Sequence, residues 1–246
     1  MVYCIDPPRP EEDIADYKYR YDAKYFKDSG QKVTYIYTER VTPQEAALIK
    51  DALKITDERL LWLYSGFTDF DFSTMEYDID DFINDQDGIV VNVYDEEKHK
   101  KRFVFINDKY IDVYLDDNGW VYESEVISHG YLIRRDYYAG GRYYSEFFTQ
   151  KSRKQVMYMR RFYNRDTSQV YDEISLSGSA KYLFSEKIVE SAAQLEEIFY
   201  DSLNLSANDT IILDCCHKHL TYFTKNSKGA ALMLSKNTNV FDIFND

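Results

Sequence analysis

Residues 109–127 read KYIDVYLDDNGWVYESEVI, in which two strand-like segments flank a turn. Apolar residues alternate with polar ones in its first half, where Ile111, Val113 and Leu115 occupy every second position. The second half is again rich in β-branched and aromatic residues, and Asp116-Asp117-Asn118-Gly119 separates the halves with residues that favour tight turns. Two such segments predict an antiparallel hairpin with one buried face and one solvated face.

The same pattern continues on both sides of this hairpin, from about residue 88 to residue 184. Turn residues recur roughly every eight to twelve positions, and no interval between them has the apolar period of a helix. We therefore predict a long antiparallel β-meander that forms an inserted domain at residues 85–188. Its nine strands are expected near residues 89–94, 101–106, 109–115, 120–127, 131–138, 142–149, 155–163, 169–175 and 180–184.

The segments that flank the meander alternate between helix and strand patterns, which is typical of a parallel sheet. Residues 1–80 and 190–246 are predicted to form one discontinuous Rossmann-like α/β lobe. Strands are expected at residues 33–37, 60–64, 210–214 and 230–234, and helices at 13–27, 42–54, 192–205 and 217–227. The helix at 192–205 is predicted to bury one face, which carries Ala193, Leu195, Ile198, Phe199, Ser202 and Leu203.

Charge and composition exclude several kinds of partner. The 246 residues carry a net charge of −13, so we expect neither nucleic acid nor an anionic membrane as a partner. No apolar run reaches the roughly 18 residues of a membrane span, and the first residues lack the pattern of a signal peptide. A cytoplasmic location is the expectation. The 24 tyrosines favour β-structure with one solvated side.

The motifs that usually carry catalysis do not occur in this sequence. It has neither a glycine-rich phosphate-binding motif nor a nucleophile elbow. The segment Cys215-Cys216-His217-Lys218-His219 offers metal-ligating side chains, but adjacent cysteines at the end of a strand point to opposite sides. We interpret it as a strand end and a loop, with zinc binding as the less favoured alternative. We predict no catalytic residue, no cofactor and no metal in this chain.

A cluster of arginines and aromatic residues on three neighbouring predicted strands is the most informative candidate site. Side-chain alternation places Arg134 with Tyr138 on one face of the sheet and Arg135 with Tyr137 on the other. One interpretation is cross-strand pairing within a tyrosine-rich sheet, and the other is a surface that binds an extended chain. The candidate acceptor-binding or partner-binding residues are Arg134, Arg135, Tyr137, Tyr138, Arg142, Tyr144, Arg160 and Arg161.

Six segments carry a resemblance to a known family. They are ITDERLLWLY at 55–64 running on into FTD at 67–69, GYLIRRDY at 130–137, YSEFF at 144–148, RFYNRD at 161–166, DSLNL at 201–205 and DTIILD at 209–214. In this order they resemble the N-terminal part of bacterial GT-B glycosyltransferases that glycosylate serine-rich adhesins in the accessory Sec pathway. They are also similar to the related teichoic-acid α-N-acetylglucosaminyltransferases. The similarity covers roughly residues 17–235.

The resemblance implies a fold of class α/β plus β, a partial Rossmann-like lobe of a GT-B enzyme with the β-meander inserted into it. A UDP-sugar would then require a separate donor lobe. Two places depart from the family pattern. Asp6-Pro7-Pro8-Arg9-Pro10 stands where these enzymes carry a glycine-rich loop, and Ser235-Lys236-Asn237-Thr238 stands where they carry histidines. We therefore carry no catalytic residue over to this chain.

Three functions are compatible with this resemblance. The first is an acceptor-binding or partner-binding module in protein O-glycosylation or teichoic-acid glycosylation, without activity by itself. Its ligand would be a Ser/Thr-rich polypeptide or a teichoic-acid-like polymer, and its partner a glycosyltransferase subunit or a second copy. The second function is the N-terminal half of an active UDP-GlcNAc-dependent glycosyltransferase, which a separate donor lobe completes. The third is a structural or assembly module of the accessory export pathway.

Overall fold

The structure is a computed structural model of the 246-residue chain. It describes residues 1–7, 28–53, 59–70, 76–86, 92–97, 99–176, 178–214, 220–226 and 228–235. The helix predicted at 13–27 and the segment Cys215–His219 lie outside the described residues. The chain divides into two units, Met1–Gly66 with Glu196–Asp246 and Phe67–Leu195.

The first unit contains a five-stranded parallel sheet in the order β15-β14-β1-β2-β3. The strands are β1 (Val2–Ile5), β2 (Val33–Tyr37), β3 (Arg59–Trp62), β14 (Thr210–Asp214) and β15 (Ala231–Ser235). Every residue of β1 and β2 is buried, as expected where helices cover both faces of a parallel sheet. All four strands predicted for this lobe are therefore confirmed, although β3 is shorter than predicted.

The helices of this part are α1 (Pro43–Leu53), α3 (Ala192–Ser202) and α4 (Leu220–Asn226). Thr42 and Glu45 close the start of α1 as a capping box, because the Glu45 carboxylate accepts from the Thr42 N–H at 2.7 Å. The strand predicted over 60–64 ends at Trp62, and Leu63–Phe67 form a 3-10 turn in which Ser65 Oγ donates to the Trp62 carbonyl at 2.8 Å. That hydroxyl bond gives the chain a local alternative to the sheet.

The buried face of α3 differs from the predicted one. Leu195 and Phe199 are buried as expected, but Ala193 and Ser202 are exposed. Glu196 and Tyr200 are buried instead, at 4% and 1% exposure. The prediction was wrong here because it assigned a glutamate to the solvent side, whereas the buried stripe of this helix runs one position further along the chain.

The second unit contains a ten-stranded antiparallel sheet in which consecutive strands are neighbours throughout. The strands are β4 (Asn92–Glu97), β5 (Lys100–Val104), β6 (Lys109–Leu115), β7 (Val121–Ser128), β8 (Tyr131–Tyr138), β9 (Arg142–Lys151), β10 (Lys154–Tyr163), β11 (Gln169–Leu176), β12 (Ser179–Phe184) and β13 (Ile188–Val189). The nine predicted strands are confirmed, and the two-residue β13 was not predicted. The fold class inferred from the sequence, a partial α/β lobe with an inserted β-meander, is confirmed.

A short helix, α2 (Ile79–Asn84), covers part of one sheet face. Asp78 caps its start by accepting from the Asp81 N–H at 2.8 Å. The fully buried Phe82 packs against Phe103 and Tyr138 with ring centroids 5.5 and 5.8 Å apart. No helix in the described parts of the chain is long and apolar enough to cross a membrane.

Candidate binding surface on the antiparallel sheet

The predicted arginine–aromatic cluster divides between the two faces of the sheet. We call face A the face that carries Arg135 and face B the face that carries Asp136, since neighbouring residues of β8 point to opposite sides. Strand alternation, register and contacts place four of the predicted residues on face A, namely Arg135, Tyr137, Tyr144 and Arg160. The other four, Arg134, Tyr138, Arg142 and Arg161, are on face B. The eight residues therefore do not form one continuous site.

Face A carries a row of charged residues that crosses seven strands, from β5 to β11, and its cations and anions alternate except at the neighbours Asp112 and Glu125. We call it the charged row, and its members stand opposite one another in register as Arg102, Asp112, Glu125, Arg135, Glu146, Arg160 and Glu173. Arg102 binds Asp112 through two parallel hydrogen bonds of 2.6 and 2.7 Å. Lys100 adds a third cationic contact to Asp112 at 3.1 Å. This bidentate geometry is the strong form of a guanidinium–carboxylate pair.

The central part of the charged row is joined in the same way. Arg135 donates to Glu125 and lies 3.3 Å from Glu123. Arg160 lies between two carboxylates, with Nε 3.1 Å from Glu146 and Nη1 3.3 Å from Glu173. Each guanidinium of the charged row is therefore already bound to one or more carboxylates.

Burial and charge act against each other in the pKa values of the charged row. Burial alone would lower the pKa of Arg135, but its hydrogen bonds to Glu125 raise it above the ordinary value. Burial raises the pKa of Glu173, and the neighbouring Arg160 offsets only part of this increase. At Asp112 the bonds from Arg102 and Lys100 outweigh burial and lower the pKa.

A second row on face A consists of stacked aromatic rings. Its members are Tyr137, Tyr144, Phe162, Tyr171 and Phe184, on β8 to β12. Successive ring centroids are 4.3, 5.7, 4.4 and 4.7 Å apart, and the ring planes are nearly parallel. The hydroxyl of Tyr137 donates to Glu146 at 3.2 Å, so the aromatic row and the charged row are connected. Stacking of cross-strand aromatic pairs stabilises the register of the sheet.

Face B holds a compact polar cluster around Asp136. This carboxylate is 1% exposed and accepts from Ser145 Oγ at 2.5 Å and from Arg134 Nε at 3.0 Å. Arg142 lies beside it with its guanidinium 4.6 Å from the centre of the Tyr163 ring. The pKa of Arg142, which burial alone would lower, is raised by the charge of Asp136. Arg161 pairs separately with Asp172 at 2.8 and 2.9 Å.

The parallel sheet presents a feature that the sequence analysis missed. Asp6 follows β1, has a left-handed φ of 45°, and accepts from the N–H and the hydroxyl of Thr38, both at 2.6 Å. It stands at the carboxyl end of the strand where the order reverses between β1 and β14, which is where open α/β sheets bind ligands. Burial, and then the charges of Asp6 and Glu196, raise the pKa of the nearby Tyr200. Its sequence signal was an acidic residue directly after a buried strand.

Comparison with known proteins identifies the antiparallel sheet. Residues 93–186 match the family described as the GtfA extended beta-sheet domain. The antiparallel sheet is therefore similar to the GtfA extended beta-sheet domain over most of its length. The chain is 31% identical over 209 residues to the UDP-N-acetylglucosamine–peptide N-acetylglucosaminyltransferase GtfA subunit of Streptococcus pneumoniae. That match includes 81% of this chain and 40% of the relative, so the chain spans well under half the length of that curated protein.

Solved structures agree with the GtfA assignment. The chain superposes on a chain of the crystal structure of a GtfA/B complex with a TM-score of 0.82 at 28% identity, covering 94% of this chain and 47% of that one. TarM, at 11% identity and a TM-score of 0.54, covers 94% of this chain and 48% of its own and shares the fold alone. The family resemblance inferred from the sequence is therefore confirmed.

Proposed function

We propose that this chain is the acceptor-binding or partner-binding part of a GtfA-type glycosyltransferase in protein O-glycosylation, and that it has no transferase activity alone. Its similarity to the GtfA subunit of S. pneumoniae supports the reaction class. The charged row of face A is the proposed contact surface for the acceptor, with Arg135 and Arg160 on that side. Tyr137 and Tyr144 lie on the same face but are 2% and 0% exposed, so they support the row rather than contact the acceptor. A cytoplasmic location, where an unmodified polypeptide is available before export, belongs to the same proposal.

The charge balance of face A favours one class of acceptor over the other. Three arginines and Lys100 face the four carboxylates of the charged row, so no surplus of cations awaits a phosphate-bearing polymer. Peptide groups and Ser or Thr hydroxyls both donate and accept hydrogen bonds. They therefore suit a surface that presents both donors and acceptors at the strand spacing of about 4.8 Å. A Ser/Thr-rich polypeptide is the better candidate than a teichoic-acid-like polymer.

A matched pair of conservative substitutions tests this surface. Arg135→Lys keeps the charge on face A but removes the two-pronged bond to Glu125, and Arg161→Lys makes the same change against Asp172 on face B. We expect Arg135→Lys to weaken binding of an unglycosylated Ser/Thr-rich peptide about threefold to tenfold, the worth of about one hydrogen bond. Isothermal titration of both variants gives the comparison. Equal affinity in both variants, or tighter binding of poly(glycerol phosphate), would refute the proposal.

A second candidate function is the N-terminal half of an active UDP-GlcNAc-dependent transferase. The position of Asp6 at the strand-order reversal of the parallel sheet favours it, since that edge is a ligand-binding position in such folds. The donor-binding lobe of the S. pneumoniae GtfA subunit, added as a separate polypeptide, tests it. Transfer of radiolabelled GlcNAc to peptide in the mixture supports the second candidate, and its absence supports the first.

Association of the chain with a partner subunit is tested by a separate measurement. We expect the chain to co-elute in size-exclusion chromatography with a glycosyltransferase subunit such as the second member of the GtfA/B complex. A chain that assembles with accessory export proteins and binds neither peptide nor UDP-GlcNAc would instead be an assembly module.

A further inference from the structure

One end of the antiparallel sheet differs in charge from the rest of the chain. The hairpin turns β5–β6, β7–β8, β9–β10 and β11–β12 all lie at this end, because consecutive strands run in opposite directions. The last three of these turns and the adjoining strand ends, residues 127–135, 147–159 and 174–184, contain no aspartate and no glutamate, although the chain has a net charge of −13. Asp108 lies in the β5–β6 turn near His129, and Glu190 pairs with Lys181, so the unpaired basic charge of this end lies at the β9–β10 turn.

The basic charge is concentrated at the β9–β10 turn. We call residues Lys151, Ser152, Arg153 and Lys154 the basic tip. Lys151 and Lys154 stand directly opposite each other in the register of β9 and β10, where like charges repel. Ser152 and Arg153 both have left-handed φ values, 52° and 63°, at positions where such turns favour asparagine and glycine. Both features oppose the stability of this hairpin.

The cations of the basic tip are not neutralised by any carboxylate among the described residues. Lys151, Arg153 and Lys154 are exposed, and in the part of the chain that the structure describes none of them forms a side-chain hydrogen bond or an ion pair. The arginines of the neighbouring charged row are all bound to carboxylates. The basic tip thus concentrates unneutralised positive charge on an acidic protein.

Exposed apolar side chains lie directly behind the basic tip. On β10 Val156 and Tyr158 are each 39% exposed, and on β8 Tyr131 is 56% and Ile133 is 41% exposed. The side chain of Gln155 reaches the Leu132 carbonyl at 3.4 Å, so β8 and β10 approach each other across β9 at this end of the sheet. An apolar centre with a charged rim is the usual composition of a protein–protein contact.

We propose that this end of the sheet binds an acidic surface of a partner polypeptide. The basic tip contacts carboxylates of the partner, and the apolar residues on β8 and β10 pack against its apolar side chains. Complementary charge would raise the association rate and exclude basic proteins. The surface is separate from the charged row, so the inference stands independently of the proposed acceptor.

The arrangement favours a protein over a membrane or a phosphate polymer. Residues 149–155 lead the hairpin and are all polar, so a hairpin that approached a bilayer end-on would insert no apolar group. A phosphate polymer would use the three cations but would leave the apolar residues behind them in water. An acidic polypeptide surface uses both.

Two synthetic peptides of equal length and charge test the inference, one with Glu alternating with Phe and one with Glu alternating with Ser. We expect the full chain to bind the Glu/Phe peptide more tightly, in fluorescence anisotropy at low and at physiological ionic strength. The double variant Lys151→Glu, Lys154→Glu should weaken binding of both peptides about tenfold. It keeps a like-charge pair across the hairpin, so its thermal midpoint should remain near that of the parent chain.

The control reverses the charge of two exposed lysines outside the antiparallel sheet, in the double variant Lys225→Glu, Lys228→Glu. It makes the same change in net charge. Unchanged peptide affinity in this control supports the proposal. A loss equal to that of the Lys151/Lys154 variant, or no binding by the parent chain, overturns it. Tighter binding of polyphosphate or of phosphatidylglycerol vesicles than of the Glu/Phe peptide also overturns it. Val156→Thr should remove part of the preference for Phe over Ser, and an unchanged preference would exclude the apolar contact.

Discussion

At the scale of single residues, burial distinguishes Asp136 from the exposed carboxylates of the antiparallel sheet. It is 1% exposed and holds Arg134 and Ser145, with Arg142 beside it. An amide at this position would turn a donor toward guanidinium groups that are themselves donors, and would leave their charge uncompensated. We expect Asp136→Asn to lower the free energy of unfolding by about 3 kcal/mol.

The control for Asp136→Asn is Asp95→Asn, because Asp95 also pairs with a cation, Lys101, but is 75% exposed. An exposed ion pair contributes less than about 1 kcal/mol, so this change should be nearly neutral. Chemical denaturation of both variants measures the difference. Similar losses in the two variants would show that the cluster on face B has no special role in stability.

The charged row contains two carboxyl groups whose pKa values are displaced in opposite directions, so stability should respond to pH differently at each. The pKa of Asp112 is lowered from its ordinary 3.8, because Arg102 and Lys100 outweigh burial. The unfolded chain then binds the proton more readily, and the contribution of Asp112 is lost as pH falls through its folded pKa. Burial raises the pKa of Glu173 above 4.5, so its ionisation opposes folding as pH rises through that range.

Unfolding curves between about pH 3 and pH 7 should therefore distinguish the parent chain from two variants, Asp112→Asn and Glu173→Gln. The parent chain should lose stability relative to Asp112→Asn as the pH falls below about 4. It should lose stability relative to Glu173→Gln as the pH rises from about 4.5. Parallel pH profiles for the parent chain and either variant would contradict the corresponding assignment.

At the scale of elements, a close contact joins the turn after β3 to helix α3 within the first unit. A Cβ added at Gly66 would stand 2.3 Å from Cε2 of Phe199, a distance that forces one of the two elements to move. Overpacking of this kind typically costs about 1–3 kcal/mol, and we expect Gly66→Ala to lower the free energy of unfolding by that amount.

The contact can be verified with a double-mutant cycle. Phe199→Leu alone leaves a cavity and should also destabilise the chain, whereas Gly66→Ala combined with Phe199→Leu should cost less than the sum of the two changes. The reason is that the smaller side chain gives room to the new methyl group. Strict additivity in denaturant unfolding would show that the two residues do not share this space.

Strands and helices differ in how far the sequence predicts them. The strands β5 to β12 begin and end within about two residues of their predicted limits, since turns such as Asp116–Gly119 and Ala139–Gly141 interrupt the alternation sharply. The buried face of α3 was mispredicted at two positions, because Glu196 and Tyr200 are polar or amphipathic residues whose burial depends on tertiary neighbours. The 3-10 turn at Leu63–Phe67 begins within an apolar run, and its one turn signal, Ser65-Gly66, comes after the strand has already ended.

The sheet face of each candidate residue was predictable on β8, but its ion-pair partner was not. Alternation along β8 correctly separates Arg134 from Arg135. Which carboxylate each arginine meets depends on the register between strands, and that register shifts at irregular positions such as Met157/Met159 and Val126/Ile127. A β-bulge leaves little trace in a single sequence. Asp6 was missed because its importance comes from the strand order, which is a property of the whole sheet.

At the scale of the whole molecule, the two units are connected differently along the chain. The antiparallel unit is one continuous segment, Phe67–Leu195, and has its own apolar core around Phe82, Phe103 and Tyr138. Its strand pairs all join neighbours in sequence, which keeps the entropy cost of closing each loop low. The parallel unit is assembled from both ends of the chain, because β1 pairs with β14 more than 200 residues away.

This difference predicts that the two parts of the chain differ in their ability to fold alone. The segment 67–195, produced alone, should fold cooperatively, since its strand ladder and the core beneath α2 are complete within it. The segment 1–66 alone should not, because β1 would lose its pairing to Thr210, Ile211 and Ile212, and the Met1 amino group would lose its 2.8 Å ion pair with Asp209. Dispersed amide resonances and a single thermal transition for 67–195, with neither for 1–66, are the expected results. A cooperative fold in 1–66 would show that this segment does not need β14. An unfolded 67–195 would show that the meander depends on the α/β lobe for its core.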